Sequence, residues 1–485
     1  MIKNQSRKIN YEELTIFKEI EGRLMFVYDC SKYFNKFYRD KVVLSEKEQN
    51  ELRNKRKLNI RRLKEGLLEY NEEKRKEYKI AEERIQGSMA MHTITQNDEN
   101  DYDIDVAIVF ESYNLSDLGP LVTRNIVANA LERKTKQFAE EPDVKTSCVR
   151  LKYTSKGYHV DFAVFKRDKE NSWNNEYTYE HAGSEWSVRH IKSLEEWFND
   201  EIKSKGNDLR KVIRLSKMFC KSKDSWKNMP SGLVQTVICD DEFATSYSRL
   251  DEIFYYTMKA IVNRLKFSLN VAAPVDNGRE LVIREVDHQR MRNLKSRLES
   301  KLEYLEVLFD ENCTEEDAIS AWGKFFNHSF WDELSSTAIS KRFNDNKVQE
   351  FNDTEEFIED LYPVLEKYDV TIDCKVSGNG FSVMSISKYL DKYAPLLKKY
   401  IPHNFSIECK IGNTNCPAYD KVLWKVRNVG PEAKRRNSIR GQIQDRGNEI
   451  TESSNFLGEH YIECYLIKNG VCIAVGHMDV PIGGN

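Results

Sequence analysis

Apolar positions recur along the chain with three different periods. In the first part Ile60, Leu63, Leu67 and Tyr70 fall at helical intervals among many charges. Upstream, Ser45 and Glu48 have the spacing of a capping box. Together they predict a helix that continues, or is followed by another, through EEKRKEYKIAEERIQ. Two strand-like runs come next, DYDIDVAIVF and YHVDFAVF, with a helical stretch over 121–139 between them. From 206 to 345 the pattern is almost entirely helical, with little Gly or Pro outside the segments around Pro230 and Pro274. From 346 short β-rich runs take over: KVLWKVRNV, HYIECYLI and VCIAVGHMDV. Lys468-Asn469-Gly470 separates the last two as in a hairpin. The expectation is an α+β chain in three parts, 1–205, 206–345 and 346–485, without internal repeats.

At 485 residues and 40% hydrophobic, the chain can bury more than one core. Lys plus Arg number 75 against 78 Asp plus Glu, a balance that argues against coating nucleic acid as the main activity. No nucleic-acid activator is evident. No window approaches the run of about 20 apolar residues that a membrane span needs. The start, MIKNQSRKINYEEL, lacks the apolar core of a secretory signal, so a cytoplasmic location is expected. The 10 Cys are scattered with no CxxC, which reads as small buried free thiols in a reducing compartment. Cys409, Cys416, His460 and Cys464 lack the spacing of a zinc module.

The acidic strands carry the chemistry. Residues two apart on a strand share a face, so Asp103 and Asp105 stand side by side, roughly 7 Å apart at the backbone. Ile104, Val106, Ile108 and Phe110 take the opposite face. Asp161 lies between Val160 and Phe162 in the same manner. If the two strands are neighbours, three carboxylates cluster on one face. They repel each other unless cations lie between them, and Mg²⁺ or Mn²⁺ suits such oxygens. Two such ions would support an in-line displacement at phosphorus. Any one of these Asp residues reads equally as a solvated strand residue. Asp101 extends the alternation and is read as structural. Upstream, Gln86-Gly87-Ser88 offers a turn where backbone N–H groups and a hydroxyl can approach a phosphate.

Further on, NDLRKVIRLSKMFCKSK predicts a helix with Arg210, Arg214, Lys217 and Lys221 on one face, and Val212, Leu215 and Phe219 toward a core. A stripe of four cations without interleaved acids suits a triphosphate, although a solvated face is the plainer account of any one member. Met229-Pro230-Ser231-Gly232 adds a hydroxyl at a turn.

The order of these elements resembles the nucleotidyltransferases of the DNA polymerase β type. More closely, it resembles the CD-NTases, the bacterial relatives of cyclic GMP-AMP synthase and oligoadenylate synthase. The resemblance spans about 20–340 and rests on Gln86-Gly87-Ser88, DYDIDVAIVF, YHVDFAVF, LRKVIRLSKMFCK and MPSG. It implies a polymerase β-like core with a mixed sheet (1–205), a helical lobe completing the cleft (206–345), and NTP or dNTP substrates. Asp103, Asp105 and Asp161 would be the catalytic metal ligands, holding two Mg²⁺ or Mn²⁺ ions. Gln86, Gly87, Ser88, Lys217 and Ser231 would bind the triphosphate, with Arg214 and Lys221 as further candidates. Some members place a base-stacking aromatic after the serine matching Ser231; here Gly232 stands there, so base recognition is built differently.

WKVRNVGPEAKRRNSIRGQI and FLGEHYIECYLIKNGVCIAV resemble the adenylyl/guanylyl-and-SMODS-associated sensor domain, over roughly 350–483. There Arg435, Arg436 and Arg440 form a cluster open to an anion or to solvent, while Trp424 and Tyr461 read as core. The activity so implied is synthesis of a cyclic di- or trinucleotide or short oligonucleotide messenger, with release of pyrophosphate, in anti-phage defence. A downstream effector would bind the product. Linear or deoxy products, an RNA or protein acceptor, or a catalytically silent nucleotide sensor are the alternatives.

Overall fold

The computed structural model describes residues 28–96, 102–154, 157–169, 176–189, 193–223, 225–226, 228–275, 279–334, 355–378, 380–397, 400–428, 430–436 and 438–483. Asp101 and the proposed boundary near 345 lie outside them. The first helix after the N-terminal segment, Ser31–Phe37, packs into the helical part of the molecule. Next comes Glu46–Lys74, whose start is the expected capping box: Ser45 Oγ accepts from the Glu48 N–H, and Glu48 reaches back to the Ser45 N–H.

That helix does not continue through EEKRKEYKIAEERIQ. Arg75 takes a left-handed conformation (φ 51°), and the Asn71 side chain bonds both the N–H and C=O of Tyr78, turning the chain back. Ile80–Ile85 is strand β1. Its charges sit easily there because β1 is the edge of the sheet.

The remaining strands of this sheet are β2 (Asp103–Glu111), β3 (Asp143–Val144), β4 (Val149–Tyr153), β5 (Tyr158–Lys169), β6 (Tyr177–Ala182) and β7 (Trp186–Val188). The order is β1-β2-β5-β4-β3, with β6 pairing the far half of β5 and β7 following it. The sheet is mixed, since β2 and β5 run parallel while the other pairs are antiparallel. Ile104, Val106, Ile108 and Phe110 bury one face against helices Glu46–Lys74 and Pro120–Lys134. These helices meet at Gly66, where an added Cβ would lie 1.8 Å from the Ala130 carbonyl oxygen. The other face carries a small cluster around Ala107, Val109 and Phe165. That face is the one on which Asp103 and Asp105 stand.

Helices Asp208–Cys220, Gly232–Asp241, Leu250–Phe267, Glu285–Leu302 and Glu315–Phe326 build a second, aromatic-rich core around Phe34, Phe254, Trp322 and Trp331. Val212, Leu215 and Phe219 are fully buried there, as the helical spacing requires.

The C-terminal part holds two four-stranded sheets. β8 (Val370–Gly378), β9 (Phe381–Ser385), β10 (Ser406–Thr414) and β13 (Glu449–Ser453) form one, in the order β13-β10-β8-β9. β11 (Lys421–Arg427), β12 (Arg440–Asp445), β14 (Gly458–Lys468) and β15 (Val471–Ile482) form the other, in the order β12-β11-β14-β15. The β14–β15 turn has positive φ at both Asn469 and Gly470, as a two-residue hairpin demands. Trp424 is core, whereas Tyr461 is half-buried and bonds Glu355.

The cysteines correct one expectation. Cys374 and Cys409 form a disulfide, because the β8–β10 register sets them directly opposite each other. Eight others are free thiols. Cys409 is thereby unavailable to zinc.

Candidate active site

The β2–β5 register sets Asp105 beside Asp161 and Asp103 beside His159, on strands about 4.8 Å apart. Period two puts all four side chains on one face. Ligand atoms of Asp103, His159 and Asp161 lie within 4.8 Å of one another, close enough to share an ion. Neighbouring cations lie against these carboxylates. Arg150 on β4 grips Asp161 with both ends of its fork, at 2.7 and 2.6 Å, and lies 3.9 Å from Asp103. His159 Nε2 contacts Asp103 Oδ1. Burial raises the Asp105 carboxyl to a pKa of about 6, and the charges of Asp103 and Asp161 add to the rise. Burial is the largest influence on Asp103 and pulls it the same way, but the bond to His159 together with the charges of His159, Arg150 and Lys221 leaves that pKa lowered. A crowded, partly protonated carboxylate set is the electrostatic condition that a divalent cation relieves. The donor set fits Mg²⁺ through its carboxylates, and His159 extends it toward Mn²⁺.

Gln86-Gly87-Ser88 follows strand β1, not a helix as the sequence suggested, and opens the short helix Gly87–Ala90. The Gln86 N–H donates to the Asp105 carbonyl at 2.9 Å. Gly87 has φ +64°, and a Cβ there would lie 2.1 Å from Asp105 Oδ2. The turn is thus pressed against the carboxylates by its lack of a side chain. Below it a cavity of about 390 Å³ runs from Gly87, Asp105 and Asp161 to Leu233 and Leu281 of the helical part.

Lys217 reaches the same region from helix Asp208–Cys220. Its Nζ donates to the Thr93 hydroxyl at 2.7 Å and lies 3.7 Å from where a Gly232 side chain would begin. Burial, then the charges of Lys221 and Arg214, lower its pKa to about 7. Ser231 is exposed and caps helix Gly232–Asp241 by accepting from the Val234 N–H, one residue before the Gly232 that Lys217 approaches. Lys221 ends the basic helix, and its charge is felt at Asp103.

The upper half of the basic stripe points elsewhere. Arg214 forms a buried ion pair with Glu359 at 2.8 Å and donates to the Tyr38 hydroxyl at 2.6 Å. Arg210 donates to the carbonyls of Met91 and Glu359. Both guanidiniums are turned to the C-terminal segment, so the reading of Arg214 as a phosphate contact is corrected by its partners. Arg150 and His159 were missed. His159 had a signal, since it shares a strand face with Asp161; Arg150 had none without the β4–β5 register. Arg440 and Arg436 of the C-terminal cluster are paired with Glu452 and Glu432.

Parallel strands bearing these carboxylates, a glycine turn against them and a facing helical lysine define a nucleotidyltransferase. Residues 81–165 match the family described as "Cyclic GMP-AMP synthase DncV-like, nucleotidyltransferase domain". Residues 352–483 match the "Adenylyl/Guanylyl and SMODS C-terminal sensor domain". A cyclic GMP-AMP synthase of Escherichia albertii is 20% identical over 409 residues, 80% of this chain and 82% of that protein. Vibrio cholerae DncV cyclic AMP-GMP synthase, bound to the linear intermediate pppA(3′,5′)pG, superposes with a TM-score of 0.52 at 17% identity, covering 63% of this chain and 96% of that one. Its GTP-bound form gives 0.51 at 16% identity, over 62% and 96%. The chain thus carries a nucleotidyltransferase domain similar to that of the DncV-like cyclic GMP-AMP synthases, and a C-terminal domain similar to the adenylyl/guanylyl-and-SMODS sensor.

Proposed function

We propose that this enzyme joins NTPs into a cyclic di- or trinucleotide, or a short oligonucleotide, releasing pyrophosphate, as a cytoplasmic second-messenger synthase in bacterial anti-phage defence. The observation that carries the reading is the register that sets Asp103, Asp105 and Asp161 together under the Gly87–Ser88 turn. Asp103, Asp105 and Asp161 would hold two Mg²⁺ or Mn²⁺ ions, with His159 at their edge. Ions bound there supply counter-charge and Lewis acidity for in-line displacement at the α-phosphorus. Gln86, Gly87 and Ser88 bind the donor triphosphate through backbone N–H groups and a hydroxyl. Lys217 and Ser231 close on it from the helical lobe, with Lys221 adding long-range charge. Arg150 orients Asp161 through its two hydrogen bonds. Asp161 then lies where it can accept the proton of the attacking hydroxyl. The division into a catalytic lobe (1–205), a helical lobe (206–345) and a C-terminal domain (346–485) is part of the same reading, as is an effector that binds the product.

Support comes from the relatives named as cyclic GMP-AMP synthases. The test is incubation of the purified chain with labelled NTPs, and separately dNTPs, with Mg²⁺ or Mn²⁺. A phosphatase-resistant product that disappears in an Asp103→Ala/Asp105→Ala variant is expected. Equal inactivity of both proteins under every nucleotide mixture, with candidate activators present, sinks the proposal. A ladder of phosphatase-sensitive lengths would redirect it to linear synthesis.

A further inference from the structure

Both sheets of the C-terminal domain line a cavity of about 400 Å³. Ile407 of β10 and Thr451 and Ser453 of β13 come from one sheet. Val426 of β11, Ile462 of β14 and Val480 of β15 come from the other. That volume is in the range of small-molecule sites, and far above the voids that packed interiors tolerate.

The floor is apolar, since Ile407, Ile462 and Val480 are buried. The rim is basic. Arg440 lines it, and its Nη1 and Nη2 reach the two oxygens of Glu452 at 2.6 and 3.1 Å. Arg446 bonds the same carboxylate. Arg435 and Arg436 in turn share Glu432, which also accepts from the Leu457 N–H, next to Phe456 in the cavity wall. Four guanidiniums on two carboxylates leave a surplus of two positive charges. The local fold aims this arrangement. Arg440 opens β12 in a left-handed conformation (φ 57°), beside a bulge in the β11–β12 pairing between Lys425 and Arg427. Bulges re-aim side chains, and strain of this kind persists only where the surroundings hold it. Phe456 is held as well. Nε2 of the buried His460 donates to its carbonyl at 2.8 Å, and the Arg436 guanidinium lies over its ring, 5.4 Å from the centroid.

We propose that this cavity binds a phosphate monoester of mononucleotide size, with its phosphate at Arg440 and Arg446 and a planar body between Phe456 and the apolar floor. A phosphate monoester carries about two negative charges at neutral pH, which matches the surplus. An arginine fork grips phosphate oxygens as it grips the carboxylate of Glu452. An aromatic ring offers a planar body a stacking surface. Asn428, Ser438 and Thr451 also line the cavity and supply the amide and hydroxyl groups that a sugar needs. The site is separate from nucleotidyl transfer and does not rest on it.

The test uses the full chain in EDTA, so that no metal loads the catalytic carboxylates. The probe is 2-aminopurine riboside 5′-monophosphate, followed by its fluorescence. Saturation at one per chain is expected. The unphosphorylated riboside and the 3′,5′-cyclic phosphodiester should each bind at least tenfold more weakly. Arg440→Gln should weaken the monophosphate at least tenfold. Ser453→Trp, which sets a bulky ring at the mouth from an exposed position, should do the same. Circular dichroism and melting show whether each variant is folded. Asp105→Asn should leave the affinity unchanged, and amide exchange over 440–456 should slow when the probe is bound. No saturable binding, an affinity that survives both cavity variants, loss of binding in Asp105→Asn, or slowing over 84–94 instead overturns the proposal. Equal affinity for the riboside and its monophosphate overturns the assignment of a phosphate to Arg440.

Discussion

A methyl group on Gly87 would sit 2.1 Å from Asp105 Oδ2, in a backbone conformation of φ +64° that a side chain disfavours. The conformational term alone is about 1 kcal/mol, too small to unfold the chain. The collision must instead displace the Asp105 carboxylate. Gly87→Ala is therefore expected to lower nucleotidyl transfer by about a hundredfold, the scale of a 1 Å misplacement at a reacting centre. Its melting temperature should change by only a few degrees. Transfer at wild-type rate would detach Gly87 from the carboxylates. Lys217 makes a second prediction at this scale. With its pKa lowered to about 7 by burial, it is largely neutral at pH 8. A triphosphate beside it favours the charged form and raises that pKa, so nucleotide binding at pH 8 should take up as much as one proton. Affinity should then fall as pH rises above 7. Calorimetry in buffers of different ionisation enthalpy reads the uptake directly, and Lys217→Met should remove it. At this scale the sequence was most readable where a period fixed the answer. Asp-x-Asp on a strand, and His159 two before Asp161, can only share a face. Arg150 could not be found that way, because its place opposite Asp161 depends on which strand pairs with which.

Helix Asp208–Cys220 shows what periodicity omits. The spacing of Arg210, Arg214, Lys217 and Lys221 does place them along one stripe, but the stripe crosses a boundary. Its first half meets Glu359 and its second half meets Thr93 and the cleft. No property of the helix itself announces that Glu359, 145 residues onward, is the partner. Burial raises the Glu359 pKa, but Arg214 and His92 outweigh it, so the acid stays ionised and the pair charged. Removing one member strands the other in a dry site, an effect of about 3–5 kcal/mol. Glu359→Ala should lower urea-unfolding stability by that amount. A Glu359→Leu/Arg214→Met double variant, which buries no charge, should recover most of it. If Glu359→Ala is neutral, the pair is not holding the helix. Residues 80–85 form a strand where a helix is expected, for a related reason. Alternating charges look helical or solvated alone, and only pairing with β2 makes them an edge strand.

Across the whole molecule the C-terminal region is bound in by charge as well as by apolar packing. Lys425 on β11, fully buried, lies 3.3 Å from Glu46 at the start of helix Glu46–Lys74 and 2.8 Å from Glu355. Glu366 answers Arg53 and Arg56, and Glu359 answers Arg214. Every one of these acids except Glu46 lies after residue 352, the start of the sensor-domain match. A chain ending at 351 would keep Arg53, Arg56 and Arg214 and lose the carboxylates that neutralise them. Arg214 is one helical turn from Lys217, so the loss is felt beside the proposed triphosphate site. The arrangement argues that this domain helps to build the active site rather than only restraining it. The truncated chain is expected to melt at least 10 °C lower and to show less nucleotidyl transfer than the full chain. Adding Arg53→Met, Arg56→Met and Arg214→Met should restore part of the melting temperature, because the stranded charges are then gone. A truncated chain that keeps its stability and transfers nucleotide faster would reverse the assignment. The domain would then act as a brake, and its ion pairs would hold it closed against the catalytic lobe.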